Sequence, residues 1–138
     1  MFETVPAWVA DYIGIPFTEK GRDWSGCDCW GLVRLVYLEH YGIEMPLYLD
    51  GYESTKDGES VSKVIHYAEK QFDKWEQVKT PVPGDFVVCR IQDRPWHVGL
   101  IVAPGIMLHS EIGIESTLAQ INGLRWKNRI EGYYRYHG

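Results

Sequence analysis

The stretch Cys27-Asp28-Cys29-Trp30-Gly31-Leu32-Val33-Arg34-Leu35-Val36-Tyr37 decides how this chain folds. After Cys29 its apolar residues recur with the i, i+3, i+4, i+7 spacing of a helix that buries one face. The polar segment before it offers Asp23 and Ser25 as N-cap side chains, and Gly42 follows as a stop signal. The pattern therefore predicts a helix packed against a core, with Cys29 in its first turn.

Cys29 is a candidate nucleophile because of this position. At the start of a helix, unpaired N–H groups and the positive end of the dipole favour a thiolate. We therefore expect the pKa of the Cys29 thiol to lie below the ordinary value of about 8.5. The alternative is that Cys29 is a small core residue, as many free cysteines are.

Length and composition predict one globular domain over residues 1–138. The chain is 45% hydrophobic and 14% aromatic, which is enough to bury a single core. Its net charge of −5 gives no support for nucleic-acid binding, and no apolar run is long enough for membrane insertion. Residues 1–10 lack the features of a signal peptide, so we expect a protein made in the cytoplasm. The three cysteines, an odd number, are expected to be reduced.

The predicted elements are helices first and strands afterwards. Helices are predicted over residues 6–12 (with Thr4 as cap), over the Cys29 segment and over residues 59–75, and strands over residues 86–91, 98–102, 106–110, 114–117 and 133–137. Loops or turns are predicted over residues 17–26, 43–58 and 92–95. Residues 118–130 show no clear pattern, although Trp126 is expected to pack. This order indicates an α+β fold, with N-terminal helices packed on an antiparallel sheet.

Two histidines fall on neighbouring predicted strands. His97 opens one strand and His109 lies near the end of the next, with a turn at Pro104-Gly105 between them. Side chains on adjacent antiparallel strands can face one another, so we expect the two rings to be close. A thiol, a histidine base and a polar group that orients the base are the parts of a cysteine nucleophile system. Each histidine alone is more simply a structural imidazole, but together with Cys29 they favour catalysis.

A metal site is the competing interpretation of the same residues. Cys27, Cys29, His97 and His109 are all ligand types that zinc accepts. The Cys-x-Cys spacing, however, lacks the two-to-four-residue gap typical of zinc knuckles, and Cys27 would have to turn in beside Cys29. We therefore expect no metal and no other cofactor.

Three blocks of the sequence resemble the signature blocks of the NlpC-type cell-wall cysteine peptidases. These blocks are Asp28-Cys29-Trp30-Gly31-Leu32-Val33, His97-Val98-Gly99-Leu100-Ile101-Val102 and Met107-Leu108-His109-Ser110. The similarity extends to residues 12–17, 83–85 and 133–136, and so covers nearly the whole chain. Gly21-Arg22 before the cysteine, and Leu-Val-Arg after it, are similar to the branch found in phage tail-tip proteins and gene transfer agents.

The resemblance implies a papain-like fold and hydrolysis of peptidoglycan stem peptides, commonly at a D-glutamyl to diamino-acid bond. By position, Cys29 is the nucleophile, His97 is the base and His109 is the group that orients His97. Backbone N–H groups at the helix start would supply the oxyanion site. Asp28 matches a position that helps to form the family's substrate site.

Two departures from the family pattern fall near that substrate site. The family often has serine after the cysteine, where this chain has Trp30, and tyrosine after the upstream proline, where it has Phe17. We expect Trp30 and Phe17 to contact the substrate, with Trp30 reshaping the specificity pocket and Phe17 lacking a phenol hydroxyl.

The resulting hypothesis is a phage-type cysteine endopeptidase that acts on peptidoglycan. The expected partners are the stem peptide and other phage tail proteins, and the expected location is a virion tail. The alternative is a structural or tail-assembly protein with a vestigial peptidase site, or one that processes a protein partner. The complete set of Cys29, His97 and His109 speaks against that alternative.

Overall fold

The computed structural model describes residues 5–45, 75–91 and 94–136. In chain order these form a 3₁₀ helix (Ala7–Tyr12), β1 (Arg22–Asp23), β2 (Gly26–Cys27), α1 (Cys29–Glu39), β3 (Trp75–Val78), β4 (Phe86–Ile91), β5 (Arg94–Ala103), β6 (Ile106–Glu111), β7 (Ile114–Gln120) and β8 (Ile130–Tyr136). None of the helices described has the length and apolar character needed to cross a membrane.

The larger strands form one six-stranded sheet in the order β3-β8-β4-β5-β6-β7, and every neighbouring pair is antiparallel. Helix α1 packs on β5 and β6. The short strands β1 and β2 form a separate antiparallel pair just before α1. A helix that precedes an antiparallel sheet and packs on it confirms the predicted α+β arrangement.

The sheet has a packed core on each face. Leu100 of β5 lies in the larger core, which α1 covers. Its neighbour Ile101 lies in a smaller core on the other face, together with Trp126 from the segment between β7 and β8. Because side chains alternate along a strand, His97 lies on the same face as Ile101. Consecutive residues of β5 therefore serve two different cores.

Asp28 caps α1, and the prediction of Asp23 or Ser25 in this role is wrong. The Asp28 side chain accepts the backbone N–H of Gly31 at 2.8 Å. Asp23 instead accepts the backbone N–H of Ser25 at 2.9 Å, inside the turn between β1 and β2. The prediction of Gly42 as the stop signal is confirmed, since Gly42 follows the helix with a positive φ of 71°.

Most predicted strands are confirmed, and the differences lie at their ends. Strand β5 begins at Arg94, so Pro95 belongs to a strand and not to the predicted turn; β7 extends to Gln120, and β8 begins at Ile130. The first predicted helix is a 3₁₀ helix, and the predicted loop over residues 17–26 contains β1 and β2. Thr4, residues 46–74, residues 92–93 and His137 lie outside the described residues, and with them nearly all of the predicted helix over residues 59–75. Trp75, its last residue, begins β3.

Gly31 allows the first turn of α1 to touch the loop that precedes β1. A Cβ atom at Gly31 would lie 1.9 Å from the carbonyl oxygen of Gly21 and 3.2 Å from Nη1 of Arg22. That same Nη1 donates to the Asp28 carboxylate at 2.8 Å. The Gly21-Arg22 pair and the cysteine block are therefore parts of one contact.

Gly31→Ala should destabilise the domain by about 3 kcal/mol, because the new methyl group would overlap backbone atoms that cannot move without opening the Asp28–Arg22 contact. Urea unfolding followed by circular dichroism measures the loss. Gly42→Ala is the matched control, since a Cβ there meets nothing within 4 Å. Its positive φ should cost only about 1 kcal/mol. Equal losses in the two variants would contradict the close contact.

Candidate active site

Cys29 is the first residue of α1 and is only 4% exposed. The backbone N–H groups of Trp30 and Val98 are directed at its sulfur. Val98 lies in β5, directly after His97. The start of the helix therefore meets the strand that carries the predicted base, one residue away from that base.

Burial raises the pKa of the Cys29 thiol to about 12, and the neighbouring Asp28 carboxylate acts in the same direction. The two backbone N–H groups lower the pKa but do not outweigh the loss of hydration. Burial likewise raises the pKa values of Cys27 and Cys89 to about 12. The expectation of an acidic thiol is therefore wrong for this structure, in which Cys29 is a neutral thiol.

His97 and His109 face each other, as predicted. Nε2 of His97 lies 3.0 Å from Nδ1 of His109, and each residue is 3% exposed. One of these nitrogens donates a proton and the other accepts it, so the contact ties one nitrogen of each ring to the other. An orienting group makes a hydrogen bond with one ring nitrogen of the base and leaves the other nitrogen available to take a proton.

Gly99 makes room for this pair. A Cβ at Gly99 would lie 2.8 Å from the Met107 sulfur and 3.4 Å from Cβ of His109. With hydrogen in its place, the His109 ring can cross to His97, two residues along β5. The glycine of the His97-Val98-Gly99 block therefore serves the contact between the two histidines.

Both imidazoles are neutral in the folded protein. Burial lowers the pKa of His97 to about 3, and repulsion from His109, when that ring is protonated, and from Arg125 acts in the same direction. Burial also lowers the pKa of His109, where the Glu111 carboxylate opposes it. Within the described part of the chain, no hydrogen bond joins the Cys29 thiol to His97. Catalytic contacts are often loose without substrate, so this geometry is compatible with a base that acts when substrate binds.

Trp126 is part of the site, although the sequence indicated only that it packs. Its ring lies parallel to His97, with centroids 5.3 Å apart, and edge-on to His109 at 5.5 Å. The Arg125 guanidinium lies 4.5 Å above the indole and forms a bidentate ion pair with Glu111. Nothing in residues 118–130 signals this contact, because the segment has no periodic pattern.

A cavity of about 380 Å³ opens beside these residues. It is lined by His109, Glu111, Ile114, Thr117, Leu118, Ala119, Gln120, Gly123, Leu124, Arg125 and Trp126. His109 therefore borders both the cavity and the buried His97 ring.

The predicted substrate residues lie next to Cys29 but have contacts of their own. Asp28 is fully buried, and its carboxylate accepts from Arg22 and from the N–H groups of Gly31 and Lys20. Trp30 is buried edge-to-face against the Phe86 ring. Phe17 is half-buried and forms a backbone bridge with Cys27. Their roles as substrate contacts remain predictions.

The zinc interpretation gains nothing from the described residues, where no group of three or more histidine, cysteine, aspartate or glutamate side chains could hold a metal. The Cys27 thiol donates to the carbonyl oxygen of Asp23 at 3.1 Å. It is therefore a structural donor in the turn between β1 and β2.

Comparison with known protein families decides the assignment. The model of the NlpC/P60 family matches residues 14–135. The chain belongs to the NlpC/P60 family. The match spans Cys29, His97 and His109, the three residues that the sequence predicts to be catalytic.

Two curated relatives come from different settings. Murein DD-endopeptidase MepS/Murein LD-carboxypeptidase of Escherichia coli is 27% identical over 120 residues, which are 87% of this chain and 55% of that protein. Tail tip assembly protein K of Escherichia phage N15 is 27% identical over 127 residues, 88% of this chain and 50% of that protein. The NlpC/P60 chain thus spans about half the length of the curated relatives it matches.

Solved structures share the fold. The NlpC/p60 domain of the peptidoglycan hydrolase SagA superposes with a TM-score of 0.60 at 21% identity, over 92% of this chain and 94% of that one. An NlpC/P60 family protein from Bacillus cereus gives a TM-score of 0.64 at 20% identity, over 97% of this chain and 41% of that one. These likenesses confirm the predicted papain-like, NlpC-type fold.

In the substrate-free protein, iodoacetamide should label Cys29 no faster than Cys27 or Cys89 at about pH 6, because all three thiols are buried and neutral. The rate at Cys29 should rise steeply only in alkaline solution. Mass spectrometry of tryptic peptides measures labelling at each site, and urea-unfolded protein gives the unprotected rate. Selective labelling of Cys29 in mild acid would show that the thiol is activated after all.

The domain should lose stability in mild acid. His97 and His109 have pKa values lowered from 6.5, so the unfolded chain takes up their protons first. Their contribution is complete above about pH 6.5 and is lost as pH falls, by up to ~1.4 kcal/mol per pH unit for each histidine. Between about pH 7 and pH 5, urea unfolding should therefore show a steeper loss for wild type than for His97→Gln. Identical slopes would mean that His97 is not buried in the neutral form.

Proposed function

We propose that this chain is a cysteine endopeptidase that hydrolyses peptidoglycan stem peptides, at a D-glutamyl to diamino-acid bond. The observation that carries the proposal is the His97–His109 contact, on a strand whose next residue, Val98, directs its backbone N–H at the Cys29 sulfur. The relatives named as murein and peptidoglycan hydrolases support the choice of substrate. No cofactor takes part in the proposed reaction.

In the proposed reaction His97 acts as a general base. Its Nε2 is engaged with His109, so Nδ1 is the nitrogen that takes the thiol proton as the Cys29 sulfur attacks the peptide carbonyl carbon. Backbone N–H groups at the start of α1 stabilise the oxyanion of the tetrahedral intermediate. The intermediate collapses to a thioester when the C–N bond breaks and the imidazolium gives its proton to the leaving amine.

A water molecule then completes the cycle. His97 takes a proton from the water as its oxygen attacks the thioester carbonyl, and the proton passes to the departing sulfur. The acid product leaves and Cys29 returns to a neutral thiol. Throughout, His109 accepts the Nε2–H of His97, so that Nδ1 is the nitrogen without a proton in the neutral ring and is available as the base.

Proton transfer in this scheme accompanies the attack. A thiol with a pKa near 12 and an imidazole with a pKa near 3 do not form a stable thiolate–imidazolium pair before substrate binds. When substrate binds, its carbonyl carbon accepts the electron pair of the sulfur, which makes transfer of the thiol proton to His97 favourable. This order of events also means that the substrate-free site does not hold a thiolate and an imidazolium without water to solvate them.

We propose further that the protein works in a phage tail, with other tail proteins as partners. The similarity to tail tip assembly protein K supports this setting. The Gly21-Arg22 pair before the cysteine, which is similar to the phage branch, supports it too. The close approach of Gly31 to Gly21 places this pair against the start of α1. A tail would carry the enzyme to the cell wall of the host.

A second candidate function is a tail-assembly protein with a vestigial peptidase site. Two observations favour it: Cys29 is only 4% exposed, and no hydrogen bond joins it to His97 within the described residues. A site closed in this way cannot turn over unless substrate opens it. The two candidates differ in whether the purified protein cuts cell-wall peptides.

Digestion of purified muropeptides, followed by mass spectrometry, tests the proposal. Wild type should release fragments whose masses identify the scissile bond. Cys29→Ala and His97→Ala should lower the rate by about 10³-fold or more, because they remove the attacking atom and the base. His109→Ala should lose about 10²-fold, and His109→Gln, which can still accept a hydrogen bond, should lose less.

Cys27→Ala is the matched control, since it removes a buried thiol two residues from the nucleophile and should keep nearly full turnover. Circular dichroism of every variant separates lost chemistry from lost folding. Intact muropeptides after treatment with folded wild type would support the non-catalytic candidate. Full turnover by His109→Ala would reject only the orienting role of His109.

A further inference from the structure

Trp126 contacts both histidines of the site from one side. It is 3% exposed, and its ring lies at 16° to His97 and at 83° to His109. The two histidine rings are themselves nearly perpendicular, at 86°. One flat indole therefore bounds the pair, since it stacks on the base and meets the orienting ring at right angles.

The indole is held in place by its own segment and by β6. The N–H groups of Trp126 and Lys127 donate to the carbonyl oxygen of Gly123, and Arg129 donates to the carbonyl oxygen of Trp126. Arg125 covers the ring and pairs with Glu111 of β6, two residues after His109. The Trp126 ring and strand β6, which carries His109, are thereby held together.

These contacts limit the movement of the His97 ring. The hydrogen bond to His109 fixes one nitrogen of His97 but leaves the ring free to swing about that contact. A parallel indole removes this freedom, because tilting the imidazole would push its edge into the aromatic face. The negative face of the indole also favours the imidazolium that forms when His97 takes a proton.

We propose that Trp126 is a positioning residue that sets the ring plane of His97, with the Arg125–Glu111 ion pair as its anchor. The inference rests on the proposed function for the use made of His97. The arrangement of rings that it invokes is present in the structure whatever the substrate is. It assigns a role to the segment between β7 and β8, which supplies none of the three predicted catalytic residues.

Nitrogen-15 NMR of the imidazoles, recorded on the full chain at about pH 8, tests the proposal without substrate. Wild type should show one tautomer for His97, with the proton on Nε2, and Nδ1 of His109 unprotonated. Trp126→Leu should give mixed tautomers or exchange-broadened signals, whereas Trp126→Phe should keep a single tautomer. Tyr134→Leu is the matched control, because it removes a buried ring that stacks on Phe86 instead.

On muropeptides, Trp126→Leu should lower kcat by about 10²-fold with little change in KM, since a misplaced base costs rate more than binding. The proposal is overturned if Trp126→Leu keeps the wild-type tautomers and matches Tyr134→Leu in kcat. If the tautomers respond as expected but no protein cuts muropeptides, the proposed function fails and the positioning role stands.

Arg125→Gln provides a second route if Trp126→Leu does not fold. It releases the anchor without opening the core, and the His97 signals should then broaden. Arg90→Gln is its control, because it breaks a comparable surface ion pair with Glu131, at 2.5 Å. Identical imidazole spectra for these two variants would reject the Arg125–Glu111 ion pair as the anchor of Trp126 and overturn the proposal in that part.

Discussion

The buried carboxylate of Asp28 makes the contacts on which the rest of the site depends. It caps α1 through Gly31 and binds the Arg22 guanidinium, so a single side chain fixes both the helix and the loop before it. A buried carboxylate is tolerated only with such partners, because an unpaired charge would cost several kcal/mol. Cys29 follows directly, and its sulfur is placed against β5 as a consequence of that cap.

The parts of the site that could be predicted from the sequence depend on local rules. Alternation along a strand and the turn at Pro104-Gly105 together bring His97 and His109 to the same face of neighbouring strands. Helical periodicity places Cys29 in the first turn of α1. These rules need only the spacing of residues, so the proximity of His97 and His109 and the place of Cys29 in the helix follow without coordinates, whereas the expected roles come from the resemblance to the NlpC-type peptidases.

The parts that could not be predicted depend on what packs against each residue. The pKa of Cys29 is set by burial, which outweighs the local effect of the helix end and depends on the whole fold. The contacts of Trp126 with the two histidines come from a segment without periodicity, and they depend on the sheet that brings His97 and His109 together. Asp28 is the cap because it directly precedes Cys29, the first residue of α1, but the ion pair of its carboxylate with Arg22 is a contact that no helix propensity encodes.

The position of β8 has a consequence for how the protein is made. This strand comes after all the others in the sequence, yet it lies between β3 and β4 inside the sheet. During synthesis the edge of β4 therefore waits, unpaired, until residues 130–136 have left the ribosome. Pairing between such distant segments is slow, because a long loop must close before any contact forms. Until then the nascent chain carries an open strand edge, which is the kind of surface that chaperones bind and that aggregation exploits.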